Sequence, residues 1–260
     1  MNELEAKKQI QKYGRIAYIA EKDAIIQKKF DPTKKELDLF LPYPTPVSIF
    51  EKPFSLIGAV SHQRVGDKWP AIEENLYMHI LQITTDLTNF HDLFGPDNQL
   101  ITVYCPQNAF YLDKEDRWEV NVKEHALSDN MTKVMAPKDA PQEKIAHCIK
   151  WKKVIDYPSR DLFDLFYPQE LIDAIYQIEE LHDTDYYREN FPTSEHTKIG
   201  GYPYCVQAEP DRWQSNAQEW KFIMQIDQND FERLNLVHQG IMTIFRHEHT
   251  KEWAAEVQFY

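Results

Sequence analysis

Two segments of the chain carry apolar residues at the spacing of an amphipathic helix. The first extends from residue 4 to residue 29, and its apolar stripe consists of Ile10, Tyr13, Ala17, Ala20 and Ala24. The second extends over residues 168–181, where Pro168 fits a first helical position and the stripe consists of Leu171, Ile175, Ile178 and Leu181. Residues 31–36 predict the end of the first helix and a short capped turn.

Most other apolar stretches are short and predict strands. They lie at residues 77–83, 100–104, 118–122, 145–154, 220–226 and 240–245. In the fourth of these stretches, alternation places Ile145, His147, Ile149 and Trp151 on one face. Residues 136–141 predict a loop. Together with the two helices, the pattern predicts an α+β protein of mainly antiparallel strands.

A series of four features occurs twice in the same order. The first copy consists of residues 52–60, Trp69 with Pro70, and the strands at 77–83 and 100–104. The second consists of residues 196–203, Trp213, and the strands at 220–226 and 240–245. The offset is nearly constant, because Ile199 follows Ile57 by 142 positions (199 − 57) and Gln225 follows Gln82 by 143 (225 − 82). We interpret the pattern as an internal duplication.

The duplication predicts one domain over residues 1–260. Its two repeats would extend over about 45–125 and 190–260, with an N-terminal helical segment at 1–40 and a connecting segment at 126–189.

Each copy combines a glycine turn with a glutamine inside an apolar strand. Glycine at positions 58, 200 and 201 suits a positive φ or a close backbone approach. A buried amide needs hydrogen-bond partners, so we expect Gln82 and Gln225 to hold the backbone of a neighbouring turn. This interpretation is structural rather than catalytic.

The negative charge of the chain is concentrated in one segment. The 29 basic and 42 acidic residues give a net charge of −13, which counts against general nucleic-acid binding. Residues 161–195 hold ten acidic residues and one basic residue, a net −9, whereas residues 1–35 hold nine basic and five acidic residues, a net +4. The acidic segment is therefore the first place to look for a binding surface.

Residues 182–190 follow the second helix and predict a surface loop. Acidic residues mixed with tyrosines can attract a basic protein and then hold it. The candidate partner-binding residues are Glu179, Glu180, Asp183, Asp185, Tyr186 and Tyr187, with the tyrosines as aromatic anchors. The alternative interpretation is a solvated helix face followed by a mobile loop.

Composition and hydropathy exclude several classes of protein. Seven glycines leave little room for glycine-rich phosphate loops. The longest uncharged runs, such as residues 54–62, are far too short for a membrane-spanning helix, and the N-terminal residues lack the layout of a secretory signal. Three cysteines without a C-x-x-C pair argue against a disulfide framework. We expect a cytoplasmic protein that does not bind membranes.

Known catalytic motifs, such as nucleotide-binding glycine loops and zinc-protease signatures, do not occur. His247 and His249 could share one face of a strand as metal ligands, but exposed histidines explain the pair better. Asp183 with Asp185 lacks the further ligands of a calcium loop. The cysteines (Cys105, Cys148 and Cys205) and the tryptophans are interpreted as core residues. We predict no catalytic residue, no metal site and no cofactor.

The second copy resembles the signature of the YwqG-like bacterial family. The matching residues are 198–203 with Gln207, then 224–227, then Gly240 with Phe245. The first copy resembles a degraded form, with Gly58, Trp69, Pro70 and residues 81–83, and the whole resemblance covers about residues 45–260. It implies a strand-rich, internally duplicated α+β fold. Members are mostly known as a domain of unknown function, and some relatives are encoded near secreted bacterial toxins.

Two functional hypotheses follow. The first is a non-enzymatic binding protein, specifically an immunity-type protein that neutralises a basic bacterial toxin through its acidic surface. The alternative is an enzyme or a small-ligand binder with a pocket between the repeats. A scaffold whose strand edges meet other subunits ranks third, and the sequence leaves the oligomeric state open.

Overall fold

The computed structural model describes residues 1–22, 41–42, 55–58, 62–72, 75–84, 90–94, 98–106, 120–126, 129–133, 137, 139–140, 145–207, 219–231 and 240–260. Within these ranges, the helices are α1 (Glu3–Gln11), α2 (His91–Phe94), α3 (Phe163–Phe166), α4 (Gln169–His182) and α5 (Tyr186–Asn190). The first seven strands are β1 (Arg15–Lys22), β2 (Leu41–Pro42), β3 (Leu56–Ile57), β4 (His62–Arg64), β5 (Ala71–Ile72), β6 (Asn75–Thr84) and β7 (Asn98–Pro106). The others are β8 (Asn121–Ala126), β9 (Met131–Lys133), β10 (Ile145–Asp156), β11 (Lys198–Gly200), β12 (Trp220–Asp227), β13 (Gly240–His247) and β14 (Trp253–Phe259).

Antiparallel strands form one long sheet, in the order β14-β13-β12-β11-β1-β10-β3-β6-β7-β8. Arg246 of β13, the neighbour of the edge strand β14, lies 3.1 Å from Glu124 of β8, the strand at the other end of this path. The sheet is therefore a nearly closed barrel, and the predicted α+β fold of mainly antiparallel strands is confirmed. A separate ribbon of β4 and β9 lies off the main sheet.

The strand order has the same form on both sides of the central pair, β1 and β10. In one half, β3 pairs with β6 and places Leu56 opposite Gln82; in the other, β11 pairs with β12 and places Lys198 opposite Gln225. Each half also contains a register shift, between His79 and Leu81 in β6 and between Phe222 and Met224 in β12. The internal duplication and the domain boundaries remain predictions. The matching strand pairings are the structural observation that bears on the duplication.

The main core lies inside the barrel and follows the period-two alternation of the strands. On β7, Ile101, Val103 and Cys105 belong to this core, so Thr102 and Tyr104 must face the other side of the sheet. Both halves contribute to the same core, through residues such as Ile80, Leu81, Ile83, Ile199, Ile223, Ile226, Met242 and Ile244. Burying each such side chain contributes roughly 1.5–3 kcal/mol.

The predicted helix over residues 4–29 is wrong beyond its first turns. A capping box between Asn2 and Glu5 begins α1, but the helix ends at Gln11 and the chain continues as β1 after Gly14. Pairing on both edges, with β10 and with β11, buries Ala17, Tyr18 and Ala20 as strand residues. These tertiary hydrogen bonds outweigh the local helical spacing. Ala24 and the predicted helix end at 31–36 lie outside the described residues.

The second predicted helix is confirmed as α4. Leu171, Ile175 and Ile178 are buried against α1 and α3, but Leu181 is 78% exposed, so its placement in the apolar stripe is wrong. The helix ends at Asp183, whose φ of 50° is left-handed, and Leu181 projects from this last turn into solvent. Pro168 is the N-cap rather than the first helical residue.

Further predictions, about two strands, a loop and membrane-spanning helices, can be compared with the structure. The strand at 145–154 is confirmed within β10, whereas the one at 118–122 is displaced to β8. Pro137, Asp139 and Ala140 lie outside helices and strands, as expected of a loop. Trp213 lies outside the described residues. None of the described helices combines the length and the apolar character needed to cross a membrane.

Gly201 lies where any side chain would meet its neighbours. Its φ is +76°, and a Cβ atom there would overlap the Asp156 carboxylate and approach the Ala17 Cβ to 2.9 Å. We expect Gly201→Ala to lower the free energy of unfolding by about 3 kcal/mol or more, because left-handed strain and overlap add together. Chemical denaturation measures this change.

Gly66→Ala is the matched control. Gly66 also has a positive φ, +89°, but no atom of the described residues lies within 4 Å of its Cβ position. We therefore expect a loss of only about 1–2 kcal/mol, from backbone strain alone. Equal losses in the two variants would contradict a role for the close approach at Gly201.

Candidate functional site

Two of the predicted partner-binding carboxylates are already engaged within the molecule. The Arg160 guanidinium lies 2.5 Å from Glu179 and 2.6 Å from Asp185. Glu179 also accepts a hydrogen bond from the Tyr187 backbone N–H at 2.9 Å, and Asp185 caps α5 by accepting from the Arg188 N–H. The Arg160 hydrogen bond is the main reason why the pKa of Asp185 is lowered. These two acids hold α5 against α4 through Arg160.

The predicted surface loop at 182–190 is instead a turn followed by α5, and its two tyrosines are buried. Asp185 provides the N-cap that the sequence interpretation overlooked. The Tyr187 hydroxyl donates to the Pro158 carbonyl at 2.8 Å and lies 2.7 Å from the Tyr167 hydroxyl. Tyr186 and Tyr187 therefore belong to the core between α1, α3 and α4, and they offer no surface for a partner.

Other residues of α4 form the exposed surface at this point. We define the acidic face as Asp173, Tyr176, Glu180, Leu181 and Asp183, all of which are exposed. Tyr176 is 50% exposed and Leu181 is 78% exposed, which is unusual for large apolar side chains. Asp173, Tyr176 and Glu180 follow helical spacing, so this stripe was available from the sequence. The acidic face thus combines carboxylates with two exposed large side chains, Tyr176 and Leu181.

The histidine pair near the C-terminus is tied to a turn. His247 Nδ1 accepts backbone hydrogen bonds from His249 at 3.3 Å and Thr250 at 3.1 Å, while its Nε2 lies 3.4 Å from Glu219. In the part of the chain that the structure describes, no group of three or more His, Cys, Asp or Glu side chains is arranged to hold a metal ion. All three cysteines are buried, and they form no disulfide bond with one another.

The structural interpretation of the two strand glutamines is confirmed. The Gln225 side-chain carbonyl accepts from the Tyr204 N–H at 2.8 Å, and its amide donates to the carbonyls of Glu195 and His196. The Gln82 carbonyl accepts from the His62 N–H at 3.3 Å. Each glutamine holds the chain that follows the glycine turn of its own half.

A buried ion pair, which the sequence analysis missed, lies beside the second glycine turn. Lys198 Nζ is 2.8 Å from Asp156 Oδ2, and both side chains are fully buried. Burial lowers the pKa of Lys198, and the Asp156 charge opposes that shift. Strand periodicity alone cannot pair residues 42 positions apart, so no local pattern predicted this contact.

A second candidate region lies on the outside of the first half of the sheet. We define the polar strand face as His79 of β6, Thr102 and Tyr104 of β7, and Lys123 and His125 of β8. Register places His79 opposite Tyr104 and Thr102 opposite Lys123, so the five side chains form one patch. All except Lys123 are buried.

An aspartate after β4 provides the charge at the edge of this patch. The Arg64 side chain binds one oxygen of Asp67 at 3.1 Å. The other oxygen is 3.8 Å from Lys123 Nζ and 3.9 Å from His125 Nδ1. Lys123 also donates to the Lys68 carbonyl at 2.5 Å. Two fixed cations thus surround one carboxylate.

An aromatic ring covers the other end of the patch. The Trp69 ring meets His79 and Tyr104 edge-on, with centroids 5.4 and 5.2 Å apart. Its indole N–H donates to the Tyr77 carbonyl at 2.7 Å, which fixes its position. The patch therefore has a charged end and an aromatic end.

Burial keeps the two histidines and the tyrosine of this patch neutral. It lowers the pKa of His79 to about 4, opposed by the hydrogen bond to the Gly58 carbonyl, and it raises the pKa of Tyr104 to about 12. The pKa of His125 is also lowered, mainly by burial, with Asp67 opposing the shift. At neutral pH, His79, His125 and Tyr104 are therefore uncharged.

We expect stability to fall in acid because of His79. Between its ordinary pKa of 6.5 and about 4, the unfolded chain binds a proton that the folded protein does not. The contribution is fully present above pH 6.5 and is lost as the pH falls through this window, by about 3 kcal/mol. Urea unfolding of the wild type at a series of pH values measures the loss.

His79→Gln is the comparison that isolates this residue. Glutamine can still donate to the Gly58 carbonyl but does not titrate. We expect the difference in unfolding free energy between the wild type and H79Q to change over this pH window. A difference that stays constant from pH 6.5 to pH 4 would show that His79 does not resist protonation.

Comparison with known proteins identifies the family but not an activity. No curated protein matches the chain. A family model described as a domain of unknown function, DUF1963, matches residues 55–250, which include the polar strand face, the acidic face and both glycine turns. The chain therefore belongs to the DUF1963 family.

Proposed function

We propose that this protein is a non-enzymatic binding protein whose acidic face recognises a basic protein. The observation that carries the proposal is the exposure of Tyr176 and Leu181 among the carboxylates of Asp173, Glu180 and Asp183. Carboxylates raise the association rate with a basic partner, and desolvated apolar side chains then slow its release. Both kinds of side chain lie on α4 and its C-cap residue, Asp183.

The residues that we assign to the binding site under this proposal differ from those predicted from the sequence. Glu180 and Asp183 remain as exposed carboxylates, whereas Glu179 and Asp185 are held by Arg160 and contribute mainly to the shape of the surface. Tyr176 and Leu181 take over the anchoring role first assigned to Tyr186 and Tyr187. The two buried tyrosines support the helix from behind.

The partner we propose is a basic bacterial toxin, which the protein would neutralise by binding. The support is the charge of residues 161–195 and the resemblance to YwqG-like proteins, some of which are encoded near secreted toxins. Within the DUF1963 family, we place the chain in that YwqG-like group. We also propose that its halves arose by duplication, supported by the matching pairings of Gln82 and Gln225.

The first proposal is tested by capture from a lysate of the native organism with the double variant E180Q/D183N. Asparagine tolerates the left-handed conformation at position 183, so the fold is retained. We expect wild-type protein to retain one stoichiometric basic partner at low salt and to release it at high salt. The variant should retain about tenfold less, because the carboxylates that attract the partner are neutral.

A matched variant controls for total charge. E248Q/E252Q removes two exposed carboxylates from the turn before β14 and leaves the acidic face intact. We expect its partner binding to equal that of the wild type. The proposal fails if both double variants behave alike, or if Tyr176→Ala and Leu181→Ser leave binding unchanged.

A further inference from the structure

The helices α1 and α4 lie side by side and run in opposite directions. Their buried sides share one apolar cluster. The Tyr13 ring, just after α1, contacts Tyr167, just before α4, with the ring centroids 4.8 Å apart. At the other end, Glu3 of α1 acts electrostatically on the hydroxyl of Tyr186, which follows α4. The middle of α1 therefore lies level with the middle of α4.

The solvent-facing sides of the two helices carry opposite charge. The α1 stripe follows a four-residue spacing and consists of the exposed residues Leu4, Lys8 and Lys12, the last being the C-cap. The α4 stripe follows spacings of three and four residues and consists of the exposed residues Asp173, Tyr176 and Glu180. Each stripe thus combines two charges of one sign with one large, mainly apolar side chain.

The charges of both stripes are available to a partner. Within the described residues, none of the four charged side chains takes part in an ion pair. Lys12 Nζ donates to the Gln9 side-chain carbonyl at 2.7 Å, and Asp173 accepts from the Gln169 amide at 2.8 Å, so these two partners are neutral. Tyr176 is 50% exposed, although the Arg160 guanidinium lies 5.8 Å from its ring centroid.

The acidic residues of α1 lie away from the middle of its stripe. Glu3 and Glu5 are in the first turn, and the Glu5 side chain is used by the capping box with Asn2. Lys8 and Lys12 occupy the later turns of the exposed side. This part of α1 is therefore basic, and it lies beside the acidic α4.

A two-fold rotation matches this layout with itself. With the axis parallel to the helices and on their solvent side, α1 of one copy stacks on α4 of the other, and α4 stacks on α1. Positions along the helices are unchanged by this rotation, so Lys8 of one copy lies level with Tyr176 of the other. Asp173 and Glu180 are then each within about 6 Å of that level along the helix. The contact is isologous and closes as a dimer.

We propose that α1 and α4 form the contact surface of a symmetric homodimer, in which the α1 stripe of each copy binds the α4 stripe of the other. Lys8 and Lys12 pair with Asp173 and Glu180, and Leu4 covers the exposed end of α4. At physiological ionic strength, the net charge of −13 on each copy is screened beyond about 8 Å, whereas the close pairs are not.

The dimer shares the α4 stripe with the acidic face, so a basic protein and a second copy compete for it. The dimer does not rest on the proposed function, because it needs only this chain. Lys8→Glu with Lys12→Glu (K8E/K12E) leaves the acidic face intact and separates the two proposals. We expect this variant to lose the dimer and still to retain a basic partner from a lysate.

The dimer is tested by sedimentation equilibrium of the purified full chain in buffer of physiological ionic strength. We expect the average mass of the wild type to rise from that of one chain towards that of two between about 1 μM and about 1 mM protein. K8E/K12E and D173K/E180K should each weaken dimerisation by about tenfold or more, because charges of one sign then meet in both contacts.

An equal mixture of K8E/K12E and D173K/E180K gives the decisive result. In the mixed dimer, the reversed lysines of one copy meet the reversed carboxylates of the other, and the unchanged stripes meet in the second contact. We expect this mixture to dimerise within about threefold of the wild-type affinity. Damage to the fold of either variant cannot produce such a recovery.

E248K/E252K is the matched control, because it changes the net charge as D173K/E180K does but alters the exposed turn before β14. We expect it to dimerise as the wild type does. The proposal is overturned if the wild type stays monomeric over the whole range or forms species larger than a dimer. It is also overturned if the mixture dimerises no better than either variant alone, or if E248K/E252K weakens the dimer as much as D173K/E180K.

Discussion

One buried carboxylate sets the geometry at the centre of this molecule. Asp156 ends β10 and accepts hydrogen bonds from Lys198 Nζ, from the Ser194 N–H and from the Tyr202 N–H, at 2.7–2.8 Å. Both charges are removed from water, so loss of either partner would leave the other unpaired and cost about 3–5 kcal/mol. A side chain at Gly201 would occupy the space of this carboxylate. The second glycine turn is thus fixed to the central strand pair.

The two halves of the sheet diverge outside the shared barrel. The second half places the chain after its glycine turn over its own strands, with Gln225 and Gln258 holding the backbone and Phe222 and Phe245 filling the interior of the contact. In the first half, the chain after the turn leaves the sheet as β4 and pairs with β9. The strand face behind it keeps polar side chains, which are buried beside Trp69.

The candidate surfaces differ in what supports them. The acidic face combines charge with exposed Tyr176 and Leu181, a combination that suits a large and basic partner. The polar strand face is buried and uncharged at its histidines, so its polar side chains lie inside the protein rather than on a binding surface.

Sequence patterns predicted the features that depend on local spacing. The helix α4, the strands of both halves and the structural use of Gln82 and Gln225 all follow from periodicity and from the needs of a buried amide. The segment 15–22 was assigned to a helix because its spacing fits one, and only pairing with β10 and β11 makes it a strand. Long-range contacts of this kind leave no local signal.

The sites were harder to predict, for the same reason. Tyr186 and Tyr187 follow acids in the sequence and suggested an exposed loop, but Asp185 caps a short helix that buries both rings. His79 and Tyr104 alternate with core residues, which is typical of a solvent-facing strand side. Both rings contact Trp69, which comes from a separate segment of the chain.

Chemical denaturation of Asp156→Asn, Lys198→Met and the double variant tests most directly the claim that the Asp156–Lys198 ion pair fixes the second glycine turn. The account predicts that each single variant lowers the free energy of unfolding by about 3–5 kcal/mol, and that the double variant loses about 2 kcal/mol or more less than the sum of the two, because neither charge is then left unpaired. Losses that simply add in the double variant would contradict it.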